Sequence, residues 1–438
     1  MKRIKVPTFK GGVITPEHKL NTCHIPIKKI STPKVMTFLM QQGKNDAFVC
    51  EPSVRVGDSV LMGQIIGAPT SKDGVPVHSS VSGRVSAVEP CLCPNGDMVK
   101  AVVIENNGFD TPAPAITLSR DYRGLDSADI IDVIRKSGIV GFDGIPTHLT
   151  LSPKSDTKIG SVIINTAESE PYLTANHRII MEKPYEIING LKIILHILSL
   201  NAGYIAIEDT KPDAINLLTE LANREKDIKL KIVVVKSKHP LNSDLQIVDS
   251  VLKRKFSPNQ SSADVGTVVV DVANCRQIYR TITFGTSLLH RVVTVSGDCL
   301  ENPLNVNVRI GTDFNHIFEN IGGFSVKPKK VIAGGPLTGI AVSSLDIPVT
   351  KTVNALLAFE NFELPAASPC IRCSRCVNAC PMNLLPSELN IQALNINFEN
   401  LEKLNIHDCI ECGTCSYICP SHRHIVQSIN NAKRGGFA

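Results

Sequence analysis

Two short runs of cysteine carry the chemistry of this sequence. The first reads Cys370-Ile-Arg-Cys373-Ser-Arg-Cys376-Val-Asn-Ala-Cys380-Pro381 and the second Cys409-Ile-Glu-Cys412-Gly-Thr-Cys415-Ser-Tyr-Ile-Cys419-Pro420. Both keep the spacing C-x2-C-x2-C-x3-C-P, the bacterial pattern for two [4Fe–4S] clusters. Three cysteines at this spacing wrap one face of a cubane. The fourth lies too far along to close the same cluster and reaches across to the other. This assigns Cys370, Cys373, Cys376 and Cys419 to one cluster, and Cys380, Cys409, Cys412 and Cys415 to the second. Zinc is the bland alternative, but structural zinc sites use two separated C-x2-C pairs that close one tetrahedron. A disulfide framework does not suit eight cysteines crowded into two short loops with no signal peptide ahead of them.

Composition bounds the rest. The chain has 438 residues, room for about three domains, and 43% of them are hydrophobic. The longest apolar run, Leu191 to Leu200, is interrupted by Lys192 and His196 and falls short of the ~18 residues of a membrane span. The N-terminus, Met1 to Pro7, is basic and lacks an apolar stretch, so the expectation is a cytoplasmic or peripheral protein. Net charge is +5, without a basic run of nucleic-acid type, and tryptophan is absent, which leaves little for base stacking. Cys23, Cys50, Cys91, Cys93, Cys275 and Cys299 fit no metal spacing and read as reduced thiols. Arg372, Arg375, His422, Arg423 and His424 rim the cysteine runs. That charge could raise a cluster potential, dock an acidic partner or merely be solvated.

The elements that must position this chemistry fall into blocks. Residues 1–120 are β-rich, with alternation and turn glycines around Val54–Gln64 and Pro76–Val85. The pairing resembles the barrel-sandwich hybrid of lipoyl and biotinyl carriers. Its tip, Thr70-Ser-Lys72-Asp73-Gly74, lacks a carrier signature, so a structural docking module is expected. Residues 121–260 alternate helix and strand: a strand at Ser161–Asn165, a helix from Pro184, a strand at Tyr204–Ile207, a helix at Lys211–Arg224 and a strand at Leu230–Val235. That order implies a parallel, Rossmann-like sheet with ligands at its carboxyl edge. Glu168 and Glu170 follow the first strand, and Glu208 and Asp209 the second. Their plain reading is solvated charge or helix capping, with Asp209 placed to cap before Lys211-Pro212. Residues 261–350 return to short strands and suggest a β-grasp-like domain, in which Gly334-Gly335-Pro336 reads as a tight turn. Residues 351–438 hold the cysteine runs, bridged by a helix at Pro386–Asn395.

With these motifs in order, the whole chain resembles the RnfC (RsxC) family of Rnf electron-transport complexes. The resemblance rests on Phe9-Lys-Gly-Gly12 with Pro16-Glu-His18, Pro76-Val-His-Ser79, and Asn165-Thr-Ala-Glu168-Ser-Glu170-Pro-Tyr172. It continues through Gly203 to Pro212, Ser296-Gly-Asp298, Ala333-Gly-Gly-Pro336 and Ala341 to Lys351. It implies a multidomain α/β chain: an N-terminal barrel-sandwich hybrid, a Rossmann-like domain similar to the flavoprotein of respiratory complex I, an SLBB-like β-grasp domain and a bacterial ferredoxin-like two-cluster domain. It implies electron passage between NAD(H) and the two clusters by way of FMN, coupled to ion translocation with the other Rnf subunits (A, B, D, E, G). It also implies a peripheral place on the cytoplasmic face of the inner membrane.

FMN and NADH would be held by Gly141, Gly144, Asn165, Glu168, Glu170, Glu208 and Asp209. One departure bears on that site. The family's glycine loop, Gly-x-Gly-Gly-Ala-Gly-Phe-Pro-Thr, is here Gly141-Phe-Asp143-Gly144-Ile-Pro146-Thr147, two residues shorter. A later family segment, Lys-Tyr-Pro-x-Gly-Gly-Glu, reads Lys238-His239-Pro240-Leu-Asn242-Ser-Asp244. Fewer glycines mean a poorer approach to phosphate, so FMN is expected to be held weakly. The alternative is a non-catalytic iron–sulfur relay and docking protein that has lost the nucleotide site.

Overall fold

The structure is a computed structural model that describes residues 6–42, 48–116, 121–154, 156–360 and 365–435. The first five residues of the basic N-terminus lie outside the described part.

Two small sheets enclose the first core. One orders Val35–Leu39, Met98–Asn106, Gly83–Leu92 and Ser59–Val60; the other orders Cys50–Pro52, Ile65–Pro69 and Val77–His78. Met36, Phe38, Ile66, Val85 and Ile104 fill the space between them, the inward half of each alternating strand. This is the expected barrel-sandwich hybrid. Its tip does not stand out like a carrier arm: Asp73 turns toward the next domain and pairs with Lys154 at 3.3 Å.

The segment ahead of the sandwich belongs elsewhere. Phe9 is buried in the core of the Rossmann-like domain. Lys28–Lys29 adds a parallel edge to the β-grasp sheet.

The central sheet is parallel throughout, in the order Lys229–Val235, Ala202–Glu208, Ser161–Asn165, Thr267–Asp271. Ser161–Asn165 lies inside the sheet and is buried at every residue, as a strand covered on both faces must be. Helices Ala175–Glu182, Pro184–Ile197, Pro212–Arg224 and Val272–Phe284 pack on the sheet. Thr267–Asp271 lies beyond the expected boundary at residue 260, yet it pairs with Ser161–Asn165. A short β-branched run reads the same in either sheet, and only the pairing says which one it joins.

The β-grasp sheet has six strands, with Ala355–Phe359 between His290–Gly297 and Lys330–Ala333. The C-terminal unit is helical. Pro386–Leu394 packs against Ile425–Lys433 over Leu389, Ala393, Ile425 and Ile429. Among the described residues, no helix is long and apolar enough to cross a membrane.

Candidate electron-transfer site

The two cysteine runs fold alike. Arg372 and Ser374 in the first have φ of 54° and 60°, and Glu411 and Gly413 in the second have 57° and 78°. These are the same two motif positions. A left-handed residue on each side of the second cysteine coils the loop so that successive sulfurs turn inward. Each run then enters a short helix, Arg375–Ala379 or Thr414–Tyr417.

The structure brings the eight sulfurs together in two sets. Cys370, Cys373, Cys376 and Cys419 line one cavity of about 90 Å³. Cys380, Cys409, Cys412 and Cys415 line another of about 20 Å³. Each set thus takes three cysteines from one run and the fourth from the other. All fourteen cysteines are free thiols. Among the described residues no three His, Cys, Asp or Glu side chains converge closely enough for a single metal ion. Four thiols spread around a void are the donor set that a cubane needs. Burial pushes the Cys409 thiol up to about 11 and Cys415 higher still. A thiolate there therefore needs cationic iron beside it.

The two rings differ in setting. Cys373 is exposed with Ile371, Arg372, Ser374 and Arg375, so the first ring sits at the surface. The second ring faces the rest of the protein. The Gly12 N–H donates to Ala379 O at 2.8 Å, beside Cys380. His239 Nε2 lies 2.7 Å from Cys412 O, and His239 Nδ1 lies 3.3 Å from Ser169 Oγ.

Ser169 belongs to the wall of a cavity of about 870 Å³ at the carboxyl edge of the parallel sheet. Its walls include Gly141 to Asp143, Asn165, Glu168 to Glu170, Asn242 to Leu245 and the turn at Gly334-Gly335. They also include Ile410, which lies between Cys409 and Cys412 of the second ring. The space suits a flavin-sized ligand.

The expected acidic residues occupy this region in different roles. Glu168 accepts from Asn176 N at 2.6 Å and His177 N at 3.1 Å, capping the helix Ala175–Glu182, and meets Lys211 Nζ at 3.1 Å. Glu208 is fully buried and does not line the cavity. It meets Lys211 at 2.9 Å and accepts from the Glu168 N–H at 3.1 Å. Burial alone would raise its carboxyl, but the Lys211 and Lys19 ammonium groups hold it at about 2. Asp209 also lies off the cavity wall. It does not cap the following helix but pairs with Lys236 at 2.8 Å and accepts from Ser237 N. Asn165 bridges to Asn242 O and the Ala167 N–H.

Glu170 reaches across to the β-grasp domain, where its carboxylate accepts from Leu337 N at 2.7 Å, Thr338 N at 3.3 Å and Thr338 Oγ1. The Gly-Gly-Pro segment is therefore a turn folded around a protein carboxylate. A Cβ at Gly335 would lie 2.1 Å from Glu170 Oε2. Gly335→Ala should lower stability by about 1–3 kcal/mol and weaken flavin binding. Thermal unfolding and flavin titration check this; an unchanged melting temperature would mean that the turn is not clamped.

Three carboxylates were less legible. Asp143 and Asp244 are open to the cavity yet deep in the protein. Burial raises Asp143 to about 6, and burial with Asp143 and Asp271 nearby raises Asp244 to about 8. Asp271 stands with them; its Oδ1 caps the next helix at Asn274 N, 2.8 Å away. Arg291 lies behind, buried, with its donors on Lys351 O, Asn274 Oδ1 and Val140 O. Asp271 ends a β-branched strand that opens a helix, a ligand position in parallel sheets, and that signal was available.

The residues suit a flavin at one end only. Asn165, Ser169 and Asn242 offer hydrogen-bonding groups for a ring and polyol. The Gly141–Pro146 loop offers no cradle for phosphate. The Gly141 N–H donates to Ile145 O at 2.9 Å, the Gly144 N–H to Gly141 O at 3.0 Å, and the Ile145 N–H to Asp143 Oδ1 at 2.9 Å.

Comparison with known proteins places these parts in families. Residues 7–109 match the RnfC barrel sandwich hybrid domain, 134–280 the Nuo51 FMN-binding domain, 292–341 the SLBB domain and 369–424 a 4Fe-4S dicluster domain. The C subunit of the Na⁺-translocating ferredoxin:NAD⁺ oxidoreductase complex of Acetobacterium woodii is 36% identical over 89% of this chain and 87% of its own. The C subunit of the proton-translocating ferredoxin:NAD⁺ oxidoreductase complex of Clostridium ljungdahlii is 35% identical over 88% and 84%. The C subunit of the ion-translocating oxidoreductase complex of Rhodobacter capsulatus is 33% identical over 87% and 74%. A chain of an NAD⁺-reducing [NiFe]-hydrogenase crystal structure shares the fold at TM-score 0.52 and 14% identity, over 72% of this chain and 65% of that one.

Proposed function

The chain belongs to the RnfC family, the C subunits of ion-translocating oxidoreductase complexes, and from that premise we propose that it passes electrons between NAD(H) at the large cavity and the membrane part of the complex, through the two cysteine rings in series. It is an electron-transfer protein whose cofactor domains are of the FMN-binding and [4Fe–4S] dicluster families. The order of transfer rests on one observation: the cavity wall includes Ile410, inside the second ring's loop, while the first ring lies at the surface.

A bound flavin would convert a two-electron hydride donor into single electrons, which iron–sulfur centres carry one at a time. The chain's own residues do the positioning. Glu170 ties the β-grasp turn over the cavity, and His239 links the Ser169 wall to the Cys412 backbone. Cys380, Cys409, Cys412 and Cys415 would hold the inner cluster, and Cys370, Cys373, Cys376 and Cys419 the outer. The outer cluster faces the partners, which in this reading are the other Rnf subunits (A, B, D, E, G). The chain then sits peripherally on the cytoplasmic side of the inner membrane, and its oxidoreductase activity depends on the assembled complex. Which ion moves is decided outside this chain.

The self-closed loop at Asp143 favours a second reading, an electron relay without nucleotide chemistry. Anaerobic purification with iron and flavin analysis separates the two. The first reading expects about eight irons and well under one FMN per chain, with NADH bleaching cluster absorbance once FMN is added. Clusters that stay oxidised under NADH and excess FMN would leave only the relay.

A further inference from the structure

The phosphate end of the flavin cavity is built against phosphate. The walls of the whole cavity carry six carboxylates, Asp73, Asp143, Glu168, Glu170, Asp244 and Asp271, against one cationic side chain, Lys154, which faces Asp73 at 3.3 Å. Glu168 and Glu170 are occupied by protein donors. Asp143, Asp244 and Asp271 gather at the Gly141–Pro146 loop.

Within that loop, Asp143 has taken the phosphate's part. Its Oδ1 accepts the Ile145 N–H, a donor of the kind that a phosphate would need. The same oxygen would lie 2.4 Å from a Cβ at Gly141, so the carboxylate is folded tightly over the loop. The nearest strong cation, Arg291, offsets part of the burial of Asp143 and Asp271 but offers a ligand no free donor. Arg291 is buried with its donors on protein oxygens, and the Phe142 ring lies 4.7 Å over its guanidinium. A phosphate dianion entering here would meet like charge and closed donors. An uncharged polyol end would meet hydroxyl acceptors.

We propose that Asp143 is a specificity-determining residue, and that this site grips a flavin by ring and polyol alone, taking the unphosphorylated flavin at least as tightly as FMN. The inference rests on the cavity being the flavin site. Burial raises Asp143 to about 6 and Asp244 to about 8, so at pH 7.5 Asp143 carries its charge while Asp244 is largely protonated, and the repulsion of a further anion falls chiefly to Asp143.

The test titrates the cluster-loaded full chain, anaerobically at pH 7.5, with riboflavin and with FMN. A site that holds phosphate through several backbone N–H groups would favour FMN by on the order of a hundredfold or more. Here riboflavin should match or exceed FMN. Asp143→Asn should tighten FMN about tenfold and move riboflavin by less than about twofold. Raising salt should tighten FMN in the unaltered protein, because screening weakens repulsion, and leave riboflavin where it was. FMN binding about tenfold or more tighter than riboflavin in the unaltered protein would overturn the proposal, whatever the variant does. So would an equal gain for both ligands in Asp143→Asn. If neither flavin binds at millimolar concentration, the flavin reading of the cavity fails, and the specificity claim falls with it.

Discussion

Changing Cys380 to serine should destroy the iron–sulfur centre built on Cys409, Cys412 and Cys415 and spare the one built on Cys370, Cys373 and Cys376. Cys380 lies in the first run by sequence, but it lines the second cavity. Serine offers a poorer ligand to iron, and of the other three thiols Cys412 and Cys415 are buried and Cys409 is half-buried, with Cys409 pushed up to about 11 by desolvation. They are poor thiolates without full ligation. Iron should fall from about eight to about four per chain. The surviving EPR signal should be that of the outer ring. Loss confined to the outer signal would mean that each run closes its own cluster.

Lys211→Met should cost about 3–5 kcal/mol of stability, the second large effect expected here. Lys211 is buried between Glu168 at 3.1 Å and Glu208 at 2.9 Å, and removing it takes from two buried carboxylates the ammonium that pairs with both, leaving Lys19 as the cation beside Glu208. The same network sets an acid limit. Glu208 is held at about 2 when folded, against an ordinary 4.5. A carboxyl depressed in this way stabilises the fold fully above pH 4.5, and the contribution fades as pH falls from there toward 2. Denaturant melts across that range should show the loss, and Lys211→Met should flatten it. A variant as stable as the parent would show that the network contributes little.

The two cysteine runs could be read because their spacing is local, and both adopt the same left-handed turns. The two sets proposed from that spacing line two separate cavities. The barrel sandwich, the parallel sheet and the β-grasp sheet were also legible, through alternation and element order. What local sequence could not supply was the partner of each acidic residue. Glu168, Glu170, Glu208 and Asp209 look alike as carboxylates after strands. Glu170 is committed to Leu337 and Thr338, and Glu208 to Lys211 and Ser237. Such partners are set by tertiary contact, often far along the chain. Thr267–Asp271 is the same case for a strand: its composition admits either sheet, and its pairing with Ser161–Asn165 decides. His239 sits in a segment already compared with the family, but only the fold shows that it spans from Ser169 to Cys412.

The series arrangement is tested most directly by mixing NADH with the FMN-supplemented protein and freezing samples for EPR on the millisecond scale. The inner cluster should be reduced first and the outer after it. In Cys419→Ser, which breaks the outer ring, NADH should still reduce the inner cluster. In Cys380→Ser, which breaks the inner ring, electrons from NADH should fail to reach an outer cluster that dithionite still reduces. Full-rate reduction of the outer cluster in Cys380→Ser would contradict the account.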